Sequence, residues 1–234
     1  MSLKKKLIEF LKPNYNSLNC GFMINPYKFS LPLSDLSIDT NIAFSTTSQA
    51  TSRTVSVTVG NNLNRLLLVW IGGGGVAISN GTATYNGVSM TRLAEGTSGS
   101  PYYHSCQLYY LVAPSTGTNN LTVTQSGDAH IQITSVVSLY GAKQSAPTIY
   151  NTTGGFSSNV STSLTPTTAK DWLMTAGRGH NQASTNQPLN LTVGSGSFGG
   201  YHTTPSIGSS NSITFTLESS QPYGAVAVVV SNYV

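Results

Sequence analysis

The sequence has few charged side chains, no long apolar run and no paired cysteines. Charged residues make up 8% of the chain, against about 25% in an ordinary soluble domain. No stretch approaches the ~20 apolar residues of a membrane-spanning helix. Cys20 and Cys106 stand alone, without the C-x-x-C spacing of a zinc or redox site. These absences argue against a charge-rich helical enzyme domain, a charged disordered chain and a disulfide-stapled scaffold.

Hydroxyl and amide side chains take the place of the missing charges. Ser and Thr together number 62 of the 234 residues, and Asn adds 19. The apolar fraction of 38%, with twelve Tyr and many Val, Ile and Leu, is sufficient for a packed β core. The composition therefore predicts a β domain whose surface is hydrated through hydroxyls rather than ions.

The positive charge is concentrated near the start of the chain. Residues 1–28 contain five Lys and one Glu, whereas residues 29–234 contain six basic and six acidic side chains. The basic pI of about 9.1 therefore belongs to the N-terminal segment. Because the remaining chain is neutral and has no basic cluster, we do not expect nucleic-acid binding.

An amphipathic segment begins the sequence and indicates an attachment arm. Its apolar residues follow helical spacing, with lysines on the opposite face and Pro13 as a stop. Glu9 and Lys12 interrupt the apolar residues, so the segment does not read as a secretory signal. A frayed terminus and a membrane-surface helix remain alternatives. The predicted partner-binding residues are Leu3, Lys4, Lys5, Lys6, Leu7, Phe10, Leu11 and Lys12.

The rest of the chain alternates strands and turns. Val55, Val57 and Val59 alternate with polar residues, and residues 66–71 form an apolar run typical of a strand buried on both faces. Strands recur every 8–15 residues and are separated by turn signals such as Asn86-Gly87. We therefore predict an N-terminal arm over residues 1–39 and an all-β domain over 40–234. The expected fold is an antiparallel two-sheet β-sandwich of jelly-roll type.

A weak internal repeat divides this domain. Val55, Val59, Arg65 and Leu68 match Val160, Leu164, Lys170 and Leu173 at a constant offset of 105 residues. Residues 121–124 similarly match residues 213–216. The pattern predicts two similar halves, each supplying strands to both sheets; the alternative is that Ser-, Thr- and Val-rich strands align with one another by composition alone.

The sequence contains no catalytic, cofactor or metal motif. G-x-S-x-G, H-E-x-x-H and the phosphate-binding G-x-x-x-x-G-K are absent. Gly194, Gly196 and Gly199 match G-x-G-x-x-G, but no helical pattern follows them, so we predict a loop. Asp128 and His130 lack a third ligand. We predict no enzyme activity, no cofactor and no metal.

Tyrosines are the main candidates for recognition. Tyr103 and Tyr109 share one predicted strand, where alternation places Tyr109 outward and Tyr110 inward. Tyr201 and His202 lie in a Gly-rich stretch. A tyrosine ring offers an apolar face and a polar tip, so Tyr103, Tyr109, Tyr201 and His202 are candidate glycan or protein contacts. Packing within the sheets is the alternative, and we expect Trp70 and Trp172 to lie in the core.

Three segments carry a resemblance to a known family: LYYLVAPSTGTNNLTVT (108–124), ATYNGVSMT (83–91) and VVSLYGAKQSAP (136–147). Together they resemble a β-sandwich accessory family of bacteriophage virions that also occurs in bacterial surface proteins. The resemblance spans residues 50–232 and implies a non-enzymatic structural or adhesive module.

The expected function is a virion structural protein, a capsid decoration or head-fibre subunit that is attached through its arm and forms homo-oligomers. Such a protein is made in the host cytoplasm and reaches the virion without a signal peptide. The alternative is a carbohydrate-binding module of a tail fibre or surface protein, which would bind host glycans.

Overall fold

Every element of the described chain is a β-strand. The computed structural model describes residues 35–44, 50–74, 81–99, 104–125, 132–179 and 181–233. Their strands are β1 (Ser37–Phe44), β2 (Ser52–Val59), β3 (Leu66–Gly73), β4 (Thr82–Tyr85), β5 (Val88–Ser89), β6 (Thr91–Thr97), β7 (Ser105–Val112), β8 (Gly117–Thr124), β9 (Gln132–Tyr140), β10 (Tyr150–Leu164), β11 (Trp172–Arg178), β12 (Gln182–Thr185), β13 (Leu189–Asn190), β14 (Ser197–His202) and β15 (Asn211–Val230). All pairs are antiparallel, which confirms the predicted class of fold.

The first nine strands form one jelly roll, here called the first roll. One sheet has the order β1-β9-β3-β7-β6, and the facing sheet has the order β2-β8-β4-β5. β5 and β6 act as one interrupted strand that passes from one sheet to the other at Met90. If β5 and β6 are counted as one strand, the first roll has eight strands, and their order in the two sheets is that of a jelly roll.

The remaining six strands form the second roll, in a single sheet that folds into two layers. Residues 150–157 of β10 pair with residues 221–228 of β15, and residues 159–164 pair with residues 211–216. The inner layer continues through β11, β14 and β13, while β12 joins the outer layer beside β15. A register shift between Ser157 and Asn159 marks the bend. Both long strands therefore cross from one layer to the other, and their pairing is interrupted only at this bend.

The two rolls share one strand order, as the internal repeat predicts. The segment 150–157 takes the place of β1, and 159–164 that of β2; β11 corresponds to β3, and β15 to β8 followed by β9. Each member of the offset pairs Val55–Val160 and Leu68–Leu173 lies on the corresponding strand. The expectation that each half supplies strands to both sheets is wrong, because each half pairs only within itself.

Three apolar cores separate four layers of strands. The first roll's core lies between its two sheets and contains Leu67, Val69 and Tyr85. The second roll's core lies inside the fold of its single sheet and contains Leu173, Phe198 and Phe215. Between the rolls, a third core joins Leu68 and Trp70 to Val226. β3 is buried along its whole length, as predicted from its apolar run, because both of its faces are covered.

Glycines allow the backbones of the two rolls to touch. A Cβ atom built on Gly96 would lie 2.2 Å from the Ala225 carbonyl oxygen, and one built on Gly224 would lie 2.2 Å from the Gly96 carbonyl oxygen. Gly154 approaches Thr97 in the same way. The strands β6, β10 and β15 thus cross at a distance that admits no side chain at these three positions.

Several strand segments were not predicted from the sequence, and the short β12 is one of them. β1 begins at Ser37, within the segment assigned to the arm. The first nine residues of β10 include Gly154 and Gly155, and β14 includes Gly199 and Gly200. Glycine weakens strand propensity, which explains why the local pattern did not reveal the last two.

Candidate functional site

Many of the predicted site residues lie outside the described residues. These are the arm residues Leu3, Lys4, Lys5, Lys6, Leu7, Phe10, Leu11 and Lys12, together with Tyr103 and the pair Asp128 and His130. The predictions made for them stay predictions. The described part of the chain places Tyr109, Tyr201 and His202.

Tyr109 is buried, so the expectation that its side chain faces solvent is wrong. It is 2% exposed and belongs to the first roll's core. Its hydroxyl donates a hydrogen bond to the Gly81 carbonyl oxygen at 2.6 Å and lies 2.8 Å from Gln107 Oε1. Burial raises the pKa of Tyr109 to about 12. Alternation correctly placed Tyr109 and Tyr110 on opposite faces of β7. The prediction that the Tyr109 face is exposed failed because both faces of this sheet are covered.

Tyr201 and His202 lie at the end of β14 and are half-buried. The Tyr201 ring stacks on Trp172 with centroids 5.7 Å apart and an interplanar angle of 28°. His202 Nδ1 accepts a hydrogen bond from the Thr204 amide at 3.1 Å. Trp172 is half-buried rather than fully in the core. One face of the Tyr201 ring is therefore used in packing, and one His202 nitrogen holds a turn.

The strongest candidate site is the end of the molecule where the described chain begins, here called the entry end. Asp35 forms an ion pair with Lys170 at 2.8 Å. Lys170 belongs to the connection between β10 and β11. Residues 141–149, here called the linker, connect β9 to β10 and lie at the same end. Ala142 forms a β-bridge with Asn232, and the Tyr233 amide donates to the Gly141 carbonyl oxygen. Both described chain termini thus lie at the entry end.

A cleft opens between the linker and the β10–β11 connection. It has a volume of about 410 Å³, which is within the range of small-ligand pockets. Lys143 supplies its only described charge, and Tyr233 at its rim is 40% exposed. The remaining lining groups are hydroxyls and amides from Gln144, Ser145, Thr167, Thr168, Ser231 and Asn232. Such a lining suits a polar chain segment held by hydrogen bonds.

Asp171 fixes one wall of this cleft. Its buried carboxylate accepts hydrogen bonds from the amides of Thr167 and Thr168 at 2.8 and 2.9 Å, and from the Thr168 hydroxyl at 2.8 Å. Burial by itself raises the pKa of Asp171, but the hydrogen bonds from Thr168, Thr167 and Ser231 outweigh it and hold the pKa below its usual value. The carboxylate is committed to its own loop, which argues for a structural role rather than proton transfer.

The opposite end of the interface between the rolls carries a second polar group. Arg178 Nη1 donates to the carbonyl oxygens of Ser195 and Gly196, both at 2.8 Å, and Gln132 of the first roll donates to Ser195 at 2.8 Å. Burial lowers the pKa of Arg178. Gly194 and Gly196 therefore form a loop that the two rolls hold jointly, and β14 rather than a helix follows it. The predicted loop is confirmed for Gly194 and Gly196, whereas Gly199 lies within β14.

The described residues place no metal-binding cluster on either end. Within the described ranges, no three His, Cys, Asp or Glu side chains gather closely enough to hold a metal ion. No helix among those residues has the length and apolar character needed to cross a membrane. No family model matches the chain, and neither a curated protein nor a solved structure is significantly similar to it. The site is therefore interpreted from its own chemistry.

Proposed function

We propose that this protein is a non-enzymatic virion structural protein, a capsid decoration or head-fibre subunit that attaches through its N-terminal arm. The observation that carries the proposal is the asymmetry of charge. The described chain begins at the entry end, beside Lys170, and the segment before it holds five Lys against one Glu within residues 1–28. A basic, amphipathic segment that precedes a neutral body in the sequence is suited to anchoring that body on a larger surface.

The outer faces of the two rolls support this interpretation. On both faces, hydroxyl and amide side chains alternate with core residues and face outward. They are Ser52, Thr54, Ser56, Thr58, Thr82, Thr84, Thr118, Asn120, Thr122 and Thr124 on the first roll, and Asn159, Ser161, Ser163, Ser212, Thr214 and Thr216 on the second. A broad hydrated surface without charge contrast suits a protein displayed on a particle.

The arm combines two attractive contributions with different dependence on salt. The lysines supply long-range attraction, which ions screen with a Debye length of about 8 Å at physiological ionic strength. Leu3, Leu7, Phe10 and Leu11 supply apolar burial, each contributing roughly 1.5–3 kcal/mol when fully desolvated. Binding to a capsid or tail partner should therefore weaken between low and physiological ionic strength without being lost.

The test is reconstitution of the purified protein on particles that lack it. Deletion of residues 1–28 should abolish incorporation while leaving the circular dichroism of the body unchanged. Leu7→Asp combined with Phe10→Asp should do nearly as much damage. The matched control, Asn14→Asp combined with Asn16→Asp, adds the same charge outside the apolar stripe and should bind at least half as well as wild type.

Wild-type occupancy by the truncated protein would refute attachment through the arm. Binding of the isolated body to glycans on an array, together with no incorporation of the full chain, would favour the carbohydrate-binding alternative. Association of the arm with anionic lipid vesicles in preference to particles would favour a membrane-surface role.

A further inference from the structure

The hydroxyl groups on one wall of the cleft at the entry end are oriented by Asp171, which lies buried behind them. The Thr167 hydroxyl donates to Asp171 Oδ2 at 3.2 Å, and the Thr168 hydroxyl donates to Oδ1 at 2.8 Å. An ionised carboxylate only accepts hydrogen bonds, and the lowered pKa of Asp171 keeps it ionised at neutral pH. Both hydroxyl hydrogens are therefore committed, and the two threonines offer only oxygen lone pairs to a group in the cleft.

Two side-chain amides add further acceptors to the lining of the cleft. Gln144 Nε2 donates to the carbonyl oxygens of Arg65 and Ala142 at 3.1 and 2.9 Å, so its Oε1 is left as an acceptor. Asn232 is 4% exposed, and its buried Oδ1 has no hydrogen-bond partner within the described residues. A donor that enters the cleft would pair with this oxygen after a rotation of the amide group. Because an unpaired buried acceptor costs free energy, such a donor would stabilise the wall.

The cleft also has one cationic side chain and one aromatic ring. Lys143 is exposed, and neither of the ion pairs found among the described residues involves it. Tyr233 at the rim is 40% exposed, and a tyrosine ring offers an apolar face on which the C–H groups of a sugar ring can stack. The cleft therefore combines several hydrogen-bond acceptors with a single positive charge and an apolar face.

This combination disfavours several classes of ligand. A phosphate group brings mainly acceptors, which would face the acceptors of the wall. A metal ion or an organic cation would be repelled by Lys143. A peptide segment brings one carbonyl acceptor with each amide donor, whereas a sugar brings a hydroxyl donor at most of its ring carbons. The lining is best matched by a ligand that has many hydroxyl donors and one negative charge.

We propose that the cleft binds a sugar unit that carries a carboxylate, such as a uronic acid or a sialic acid at the end of a glycan. Its hydroxyls donate to the oxygens of the lining, its carboxylate pairs with Lys143, and its ring packs against Tyr233. The cleft volume of about 410 Å³ is suited to a ligand of this size. The site is separate from Tyr109, Tyr201 and His202, which do not line the cleft. The proposal does not rest on attachment through the arm.

The first experiment measures whether the full chain binds such sugars and whether it needs their charge. The probes are oligosaccharides that end in glucuronic, galacturonic or sialic acid, each paired with its methyl ester, which keeps every hydroxyl and removes the charge. Isothermal titration calorimetry should show at least one acid that binds about tenfold more tightly than its ester. No binding to any probe, or equal binding of the acids and their esters, would overturn the proposal.

The second experiment places the bound acid at the cleft. Lys143→Gln is compared with Lys170→Gln, which makes the same change at an exposed lysine of the entry end that does not line the cleft. Lys143→Gln should weaken binding of the acid about tenfold, and Lys170→Gln should leave it unchanged. The basic arm is present in all of these proteins, so equal affinity for the acid would place the sugar on the arm or on another surface and overturn the proposal.

The third experiment tests the aromatic contact. Tyr233→Phe keeps the ring face and should bind like the wild type, whereas Tyr233→Ser removes it and should bind several-fold more weakly. Equal affinity of these two variants would contradict stacking on Tyr233. Lys143→Gln should still be incorporated into particles like the wild type, so that failure of the sugar site and failure of attachment through the arm are distinguishable.

Discussion

The first and second rolls reach the same strand order by different routes. In the first roll, β1 and β2 are separate strands, and so are β8 and β9, and the two sheets share no backbone pairing. In the second roll, β10 and β15 each run through both layers as one strand. The strand order is therefore compatible with both two separate sheets and one bent sheet. The shared requirement is an apolar core between two layers, which both rolls meet.

The contact between the rolls is where the largest effect is expected. Gly224→Val would place a side chain against the Gly96 backbone, because even a Cβ atom there lies 2.2 Å from a carbonyl oxygen. The atoms in the way belong to the backbone and not to a flexible side chain, so the loss of stability should exceed about 4 kcal/mol and the protein should fail to fold. Thermal unfolding and soluble yield measure the effect.

Gly155→Ala is the control for that substitution. Its Cβ would meet only Tyr223 at ordinary contact distances of 3.7 Å and more. It should change the melting temperature by no more than a few degrees. An equal loss in both variants would show that the β10–β15 strands tolerate no substitution of glycine, rather than that the rolls touch at Gly224.

The next comparison tests whether the rolls unfold together. Leu67→Ala removes apolar volume from the first roll's core, and Leu173→Ala does so in the second; both leucines are at most 1% exposed. Each should cost about 2–5 kcal/mol. Because the apolar core between the rolls couples them, calorimetry should show one transition in both variants. Two separate transitions in either variant would contradict this coupling.

The corresponding connections in the two rolls should differ in their dependence on pH. Residues 60–65 are held by Arg65, which donates to the Asn62 and Pro114 carbonyl oxygens at 2.6 and 3.0 Å. Residues 165–171 are held by Asp171, whose pKa is lowered. The stabilisation by Asp171 is present above its unfolded pKa of about 3.9 and is lost as the pH falls through the lower folded value.

Asp171→Asn should therefore cost about 1–3 kcal/mol at neutral pH and flatten the fall in stability below about pH 4. Arg65→Ala should destabilise the protein without changing that acid slope. Denaturant unfolding between pH 2 and 7 checks both expectations. An unchanged acid slope in Asp171→Asn would place the titrating group elsewhere.

The smallest effects are expected on the outer faces. Thr54 and Thr122 hydroxyls lie 2.9 Å apart on the first roll, whereas Thr216 contacts Asn159 at 3.5 Å on the second. Thr54→Val and Thr216→Val should each change stability by less than about 1 kcal/mol, because water replaces these exposed contacts. Of the two variants, Thr54→Val should lose more stability. Denaturant unfolding measures both losses. A larger loss of stability in Thr216→Val than in Thr54→Val would contradict this expectation.

Local patterns were sufficient for much of the fold. The apolar run of β3 predicted a strand with two covered faces, and residues 225–230 at the end of β15 are buried as expected. Asn86 and Gly87 adopt φ values of 49° and 74°, which a tight hairpin turn requires. The offset of 105 residues predicted two similar halves, since equivalent core positions need similar side chains.

Long-range contacts explain what the sequence left unpredicted. Tyr109 is buried because the β2-β8-β4-β5 sheet covers it. No pattern in the residues around Tyr109 predicts that contact. The first part of β10 is a strand because β15 pairs with it, although glycines occupy two of its positions. The cleft at the entry end combines the linker with residues 231–233, which are far apart in sequence. The arm residues proposed for attachment stay a prediction.

Cys106 gives the molecule an internal reporter for separation of its rolls. Its thiol is buried in the core between them and lies 3.6 Å from the Ala176 carbonyl oxygen of the second roll. Burial raises the pKa of this thiol, and Glu95 adds to the effect. Alkylating reagents require an accessible thiolate, so Cys106 should react only in molecules whose rolls have parted. The rate of its labelling, followed by mass spectrometry of the peptide, therefore reports how often that opening occurs under native conditions.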